Sequence, residues 1–357
     1  MKAYIKSISC LSAQNSFPNN ELDRLILNST AIKHAIEPNY KDYVSAGNIR
    51  RLNRIIKMAL VTAIDAVSRA NILKPDAIIS GTGKGSLTDT EKFLMNLFED
   101  HERLLNPVNF INATYNALNG LIGVHYQLSS YCNMYVHRGL SCYSALSDAI
   151  LLLNEEPSQN ILINTYDEIT PDHYFIKNRL EYWKSDHCED HELLNSTSQG
   201  TKAGEGAISM ILSLNKDAVN NQVCLELIGA KNKSSISAIS KDLLTFIHTL
   251  KPDLIICGYN GDIRFKDYVS TLIEEPNIPV LSWKPLSGEF ETADGFGIWL
   301  GHSILKKGFL DDKYAFLQIN QTKSQPEFKK KMERILIYNH FFGKDHVMYF
   351  MTLDSKK

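Results

Sequence analysis

Residues 75–85, PDAIISGTGKG, place a short apolar strand between a Pro-Asp pair and a glycine loop. The same order returns at residues 252–261, PDLIICGYNG. Apolar residues at helical spacing precede each stretch, over residues 51–73 and 240–250. Two such helix-strand-loop units in one chain indicate an internal duplication.

Helices and short apolar strands alternate along the rest of the 357 residues. Strands are predicted near residues 160–165, 207–212, 224–229 and 280–283, and helices near residues 89–98 and 144–153. Unbroken apolar strands are typical of sheets that are covered on both faces. We therefore expect a layered α/β fold in two halves, residues 1–216 and 217–357, with the boundary in the polar stretch 215–221.

Composition narrows the functional classes. The net charge of -2 gives no overall attraction to nucleic acid or to an anionic membrane. No stretch approaches the roughly 20 apolar residues of a membrane span, and the N-terminus alternates like a strand instead of resembling a signal peptide. The six cysteines are scattered without a CxxC pair, which favours a reducing compartment and a cytoplasmic location.

Two motifs suggest a nucleotide-binding loop and a metal site, but each departs from the pattern that such a site requires. Gly81, Gly83 and Gly85 follow a strand, yet the spacing departs from GxGxxG and no GK[ST] is present, so we interpret them as a tight turn. The segment 186–191, DHCEDH, carries possible metal ligands, but it lies in a polar stretch that is typical of a solvated loop. We expect no bound cofactor and no metal.

Seven segments, taken in order, resemble β-ketoacyl-acyl carrier protein synthases. They are RRLNRIIKMALVTAIDAV from residue 50, ISGTGKGSLTDTEKFL from residue 79, NPVNFINATYNALNGLIG from residue 106, the helix through residues 145–149, the strand ending in YDE at 166–168, the GEGA turn at residue 204 and SWKPLSGEFETADG from residue 282. The resemblance implies the thiolase-like fold, two pseudo-repeated halves in an αβαβα layered sandwich, and a dimer.

That family uses a cysteine at a helix N-terminus and two histidines, and the resemblance places other residues at all three positions. Gly139 stands at the nucleophile position, counted back from Ala149. Tyr259 stands at the first histidine position, with Asp267 as the matching acid, and Glu289 stands at the second. Lys284, five residues before Glu289, is retained. Glycine offers no nucleophile, and a glutamate would face an anionic intermediate.

Cys142 is the fallback nucleophile. It lies one helical turn beyond Gly139, so its sulfur would be displaced by roughly 4.5 Å along the helix axis. A free cysteine is commonly a small buried residue.

Ketosynthase-like chains without the nucleophile resemble chain-length factors, and the NATYNALNG and DEITP segments resemble the partner subunits of aryl polyene and flexirubin-type pathways. The resemblance implies a catalytic ketosynthase as heterodimer partner and an acyl carrier protein, whose phosphopantetheine carries the substrate. Residues 106–123 would lie near the partner, and large or polar side chains there or nearby would shape an acyl tunnel: Tyr115, Asn116, Tyr131 and Tyr143. Two alternatives stay open, namely an active synthase that uses Cys142 or Glu289, and a non-catalytic homodimeric scaffold that binds acyl groups or a carrier protein.

Overall fold

The computed structural model describes residues 1–18, 21–45, 49–50, 52–103, 107–185, 188–216, 222–275, 277–320 and 331–354. The strands are β1 (Lys2–Leu11), β2 (Ile32–Lys33), β3 (Ala77–Thr82), β4 (Cys132–Val136), β5 (Ile161–Asp167), β6 (Ala203–Gly204), β7 (Gly206–Ser213), β8 (Gln222–Asn232), β9 (Leu254–Cys257), β10 (Val280–Ser282), β11 (Arg334–Phe341) and β12 (Asp345–Asp354).

The α-helices are α1 (Arg54–Arg69), α2 (Leu87–Glu99), α3 (Pro107–Ala113), α4 (Ala117–Tyr126), α5 (Ser141–Glu155), α6 (Pro171–Arg179), α7 (Ile236–Leu250), α8 (Ser270–Ile273), α9 (Lys284–Ser287) and α10 (Asp294–Lys307). None of the helices within the described ranges is both long and apolar enough to cross a bilayer.

Strand topology shows the duplication directly. The ten-stranded sheet has the order β10-β9-β11-β12-β8-β1-β7-β5-β3-β4. Its first half, β4-β3-β5-β7-β1, repeats in β10-β9-β11-β12-β8, with parallel pairs on both sides of β3 and of β9. The remaining pairs within each half are antiparallel. The predicted duplication is confirmed.

Three apolar clusters divide the molecule into five layers. One contains residues of α1 and α4 and packs on the outer face of the first half-sheet. A second contains residues of α7 and α8 and covers the outer face of the second half-sheet. The largest lies between the two half-sheets and includes α5 and α10. This αβαβα sandwich confirms the predicted fold class.

Local sequence explains where the helices of the duplicated units begin and end. The Asn53 side chain caps α1 by accepting a hydrogen bond from the Ile56 amide at 2.9 Å. Asn71 then takes a left-handed backbone with a φ of 53° after the helix ends. The helix is therefore shorter than the predicted 51–73. In the second half, Ser235 caps α7 in the same manner. The predicted boundary between the halves includes residues 217–221, which lie outside the described residues.

Candidate functional site

Gly139 immediately precedes α5, and the hairpin between β11 and β12 fills the space in front of it. A Cβ atom added to Gly139 would lie 2.4 Å from the Cβ of Phe341 and 3.0 Å from the Cβ of Asp345. The Gly139 amide donates a hydrogen bond to the Asp345 carboxylate at 3.2 Å. Contacts below 3 Å between carbon atoms are repulsive, so this backbone position accepts no side chain unless the hairpin moves.

Cys142 lies one turn into α5, inside the central apolar layer. Its side chain is fully buried. Burial, and then the negative charge of Asp294, raise the pKa of the Cys142 thiol well above its ordinary value. Since the thiolate is the nucleophile, a thiol in this environment is inert.

Cys142 should therefore resist alkylation in the folded protein. Cys132, which begins the edge strand β4, is exposed and provides the internal comparison. We expect iodoacetamide at pH 8 to modify Cys132 while Cys142 stays unmodified, and both to react after denaturation. Peptide mass spectrometry gives the two rates. Labelling of native Cys142 at a rate near that of Cys132 would contradict the burial.

Lys284 and Glu289 form an ion pair that is closed off from solvent. Both side chains are 0% exposed, and Lys284 Nζ lies 2.5 Å from Glu289 Oε1. Asn260 Nδ2 donates to the second carboxylate oxygen at 2.8 Å. Burial raises the pKa of Glu289, and the charge of Lys284 opposes that shift. Both carboxylate oxygens of Glu289 are thus bound within the chain.

Tyr259 does not join this group. Its side chain packs in the outer apolar layer with Ile255 and Cys257, in step with the alternation of β9. Burial raises the pKa of Tyr259 to about 12. Gly258 is the residue that faces inward, where an added Cβ would lie 1.9 Å from Asn339 Oδ1. The structure therefore brings Asn260, and not Tyr259, to Glu289.

Asp267, the acid paired with Tyr259 by the resemblance, is exposed. The buried acid of this loop is Asp262, which binds Arg264 at 2.6 Å. The resemblance places the first histidine position at Tyr259, whereas the structure puts Gly258 on the inner face. A shift of one residue along a strand moves a side chain to the opposite face of the sheet.

A buried charge cluster beside the hairpin was not predicted from the sequence. Glu291 Oε1 accepts a hydrogen bond from Lys177 Nζ at 3.0 Å and forms an ion pair with Lys84 Nζ at 3.3 Å. Burial alone would raise the pKa of Glu291, but the two lysines outweigh it and lower the pKa to about 2. Burial and the charge of Glu291 raise the pKa of the neighbouring Asp167 to about 7. In the sequence, the sign of this cluster is the second glutamate of SGEFETADG, two positions after Glu289.

Lys177 brings this cluster to the hairpin. Its ammonium group lies within 6 Å of four aromatic ring centroids, those of Tyr182, Trp183, Phe341 and Phe342. Cations are attracted to ring faces at such distances. The space between α6 and the hairpin is therefore filled by Lys177, which is paired with Glu291, and by these four aromatic rings.

The glycine loop serves packing. A Cβ on Gly83 would lie 2.2 Å from the Cβ of Glu291, and one on Gly81 would lie 2.6 Å from the Ser141 carbonyl oxygen. Gly85 has a φ of +70°, a backbone conformation that favours glycine. These close contacts and this backbone conformation are sufficient to account for the three glycines, and a bound phosphate group is not needed to explain them.

The predicted metal segment holds an ion-pair cluster. Asp190 is fully buried and binds both Lys33 and Lys202, the latter at 2.7 Å. Asp186 and His187 lie outside the described residues. Among the described residues, no three His, Cys, Asp or Glu side chains are grouped to hold a metal ion.

An apolar cleft of about 620 Å³ opens between α2, α3 and β4. It is lined by Thr90, Phe93, Leu94, Phe110, Ala113, Thr114, Tyr115, Asn116, Met134 and Val136. None of these side chains is charged, so the cleft suits an apolar ligand or partner. Of the four tunnel candidates, Tyr115 and Asn116 line it.

The other two candidates lie elsewhere. Tyr131 donates a hydrogen bond to Asp148 at 3.0 Å just before β4. Tyr143 is half-buried in the central layer, where its ring packs 5.7 Å from that of Tyr349.

The cleft lies in a wider apolar surface next to an open sheet edge. β4 is the last strand of the sheet at this end. Exposed apolar side chains include Leu94, Met95, Phe98, Val108, Phe110, Ile111, Tyr115 and Val136. Exposed apolar patches of this kind, especially beside an unpaired strand, mark protein interfaces.

The comparisons with known proteins agree with this architecture. Residues 32–184 match the family model described as beta-ketoacyl synthase, N-terminal domain. The chain has the ketosynthase fold. The ishigamide ketosynthase/chain length factor is 11% identical, with a TM-score of 0.74 over 98% of this chain and 99% of that one. No curated protein sequence matches.

Two further solved structures share this ketosynthase fold. One is a ketosynthase in complex with its chain length factor from Xenorhabdus doucetiae, 13% identical, with a TM-score of 0.72 over 99% of this chain and 98% of that one. The other is a type II polyketide synthase acyl-carrier protein in complex with its ketosynthase bound to the hexaketide, 11% identical, with a TM-score of 0.70 over 98% and 99%. At these identities the likeness concerns the fold alone.

Proposed function

We propose that this chain is a non-catalytic, chain-length-factor subunit that pairs with an active ketosynthase during chain elongation on an acyl carrier protein. The observation that carries the proposal is the occupied space at Gly139. Phe341 and Asp345 stand where a nucleophilic side chain would project. A condensing enzyme needs that side chain to carry the acyl group.

The electrostatics of the site support the same conclusion. Condensation generates an oxyanion that donors must stabilise. Here the inward-facing residues are Gly258, which has no donor side chain, and Glu289, whose carboxylate is bound to Lys284. The alternative nucleophile Cys142 is fully buried with a raised thiol pKa. These features disfavour an active synthase that uses Cys142.

The apolar cleft supports a role in shaping an acyl tunnel. Its lining carries aromatic and aliphatic side chains and no charge, and it opens on the surface that we assign to the partner. An acyl chain extending from the partner ketosynthase would meet Tyr115, which is half-exposed at the cleft and packs over Gly85. We propose a polyene-type acyl chain, following the aryl polyene and flexirubin-type resemblance of the sequence.

Co-expression with a ketosynthase encoded nearby tests the pairing. We expect the two chains to co-purify and to elute from a sizing column as a heterodimer. A chain that instead elutes only as a homodimer would favour the homodimeric scaffold, and failure to co-purify would overturn the chain-length-factor proposal.

The surface assignment is tested by Ile111→Asp. Ile111 lies on α3 and is 59% exposed, so the substitution leaves the core of the isolated chain intact. Burying the new carboxylate against the partner would be unfavourable, and we expect co-purification to fall at least about tenfold. Leu244→Asp is the matched control, because Leu244 is 41% exposed on α7 in the outer layer of the other half. Equal loss for both variants would contradict the assignment.

A further inference from the structure

Two buried histidines face each other across the tip of the β11–β12 hairpin. His340 and His346 are directly paired across the strands, and their ring centroids lie 6.4 Å apart. Both are 0% exposed. In each ring the Nε2 atom is buried and has no hydrogen-bond partner among the residues that the structure describes. A buried imidazole with an unpartnered nitrogen gains a charge only at considerable cost.

The surroundings offer little compensation for a proton. Rings of Phe265, Tyr268 and Tyr338 pack around the two imidazoles. The Tyr338 hydroxyl lies 3.0 Å from His346 Nδ1, and the Gly343 amide donates to His340 Nδ1 at 3.4 Å.

The charged groups near the pair act in opposite directions. Lys231 is paired with His346 across the neighbouring strand β8, and Lys284 acts on His340 from α9. Asp345, next to His346 in β12, is a carboxylate near the pair, and it also accepts hydrogen bonds from the Gly139 amide and from Asn232. The two lysines are each paired with a carboxylate, Lys231 with Asp242 at 2.5 Å and Lys284 with Glu289 at 2.5 Å, so burial is the main obstacle to protonation of the imidazoles.

The tip of the hairpin also covers the ketosynthase-like site. Phe341, between the two histidines in sequence, fills the space at Gly139. Lys344 at the turn is exposed, so the tip lies at the molecular surface. We propose that residues 340–346 form an acid-sensitive plug that opens when His340 and His346 take up protons, which uncovers Gly139. This inference goes beyond the proposed pairing function and does not depend on it.

The direction of the effect follows from linkage. Burial lowers the pKa of His346 to about 4 and that of His340 well below its ordinary value, with the repulsion between the two rings contributing to the latter. In an opened tip both imidazoles would regain a pKa near 6.5. The closed tip is therefore fully favoured above about pH 6.5 and loses that advantage as the pH falls toward 4. For two such groups, lowering the pH from 7.5 to 5.5 increases opening about 100-fold.

Hydrogen exchange of the full chain measures this opening locally. After correction for the intrinsic pH dependence of exchange, we expect protection of the amides in residues 340–346 to fall about 100-fold between pH 7.5 and 5.5. Amides of β1 should keep their protection. A local measurement is needed because Asp167, at the end of β5, and Asp294, at the start of α10, also titrate in this range: burial raises their pKa values to about 7 and about 6.

Variants assign the effect to the two histidines. The double substitution His340→Gln with His346→Gln should reduce the change at the tip to less than about threefold, and His346→Gln alone to about tenfold. His302→Gln is the matched control, since His302 on α10 also has a pKa lowered by burial, to about 3, but lies outside the hairpin. Should the double variant fail to fold, the single variant and an NMR titration of the imidazole carbons keep the test decisive.

Three results would overturn the proposal. They are an equal loss of protection in β1, an unchanged pH dependence in the glutamine variants, and a titration of the His340 or His346 imidazole near pH 6.5 in the closed protein.

Discussion

Replacing Lys284 by Met is expected to lower the free energy of unfolding by about 3–5 kcal/mol. The substitution keeps the apolar stem but leaves the Glu289 carboxylate at 0% exposure with Asn260 as its remaining described hydrogen-bond donor. An unpaired buried charge is among the most costly features a fold can contain. Urea denaturation of the purified chain, followed by circular dichroism, gives the free energy.

Two further variants show whether the loss of stability in Lys284→Met comes from the burial of the ion pair. Replacing both Lys284 and Glu289 by Met removes the pair together, and we expect this to cost less than either single substitution. Lys216→Met removes a partner of Asp354 in a pair of similar length, 2.7 Å, with both side chains about a third exposed. This surface control should cost about 1 kcal/mol or less. Equal losses for Lys216→Met and Lys284→Met would contradict the account of the buried pair.

Gly139→Ala is expected to destabilise the chain by about 3 kcal/mol, at the upper end of the usual cost of overpacking. The added methyl group would lie 2.4 Å from the Cβ of Phe341, so the hairpin would have to shift. Gly139→Cys should cost at least as much and should not acquire acyl-transfer activity, because the thiol would have no space beside Phe341 and because Tyr259 and Glu289 stand at the two histidine positions that the resemblance assigns. Thermal and urea unfolding measure the loss of stability.

Gly120 provides the matched glycine. Apart from its chain neighbours and the backbone of its own helix, no described residue comes within 4 Å of a Cβ added there, and Gly120 is inside α4. Gly120→Ala should therefore be neutral or stabilise the chain by up to about 1 kcal/mol through helix propensity. Combining Gly139→Ala with Phe341→Ala should cost less than the sum of the two single substitutions, because the clash is relieved. A fully tolerated Gly139→Ala would show that the hairpin does not occupy the site.

The sequence is sufficient to predict the layered frame but not the contents of the site. The repeated Pro-Asp, apolar strand and glycine at residues 75–85 and 252–261 correspond to β3 and β9, which occupy equivalent places in the two half-sheets. Such strands are recognisable because burial on both faces demands an unbroken apolar run. Lys284 and Glu289, which the resemblance places in one short segment five positions apart, meet as an ion pair that was not predicted.

Contacts between distant segments could not be predicted in this way. Gly139 and Phe341 are about two hundred residues apart in the chain, and only the antiparallel pairing of β11 with β12 brings the hairpin to α5. Lys177 likewise meets Glu291 across a gap of 114 residues. At the end of β9, a shift of one residue decides whether Gly258 or Tyr259 faces inward, and a four-residue strand followed by a loop does not fix that register from sequence.

As a non-catalytic subunit, this chain is expected to carry no acyl group itself. The most direct measurement is the intact mass of both subunits after the co-purified complex is incubated with an acyl-carrier thioester. We predict an acyl adduct on the ketosynthase partner and an unchanged mass for this chain. An adduct on this chain that disappears with Cys142→Ala would contradict the account, because it would show a nucleophile where the structure has a buried thiol beside a filled site.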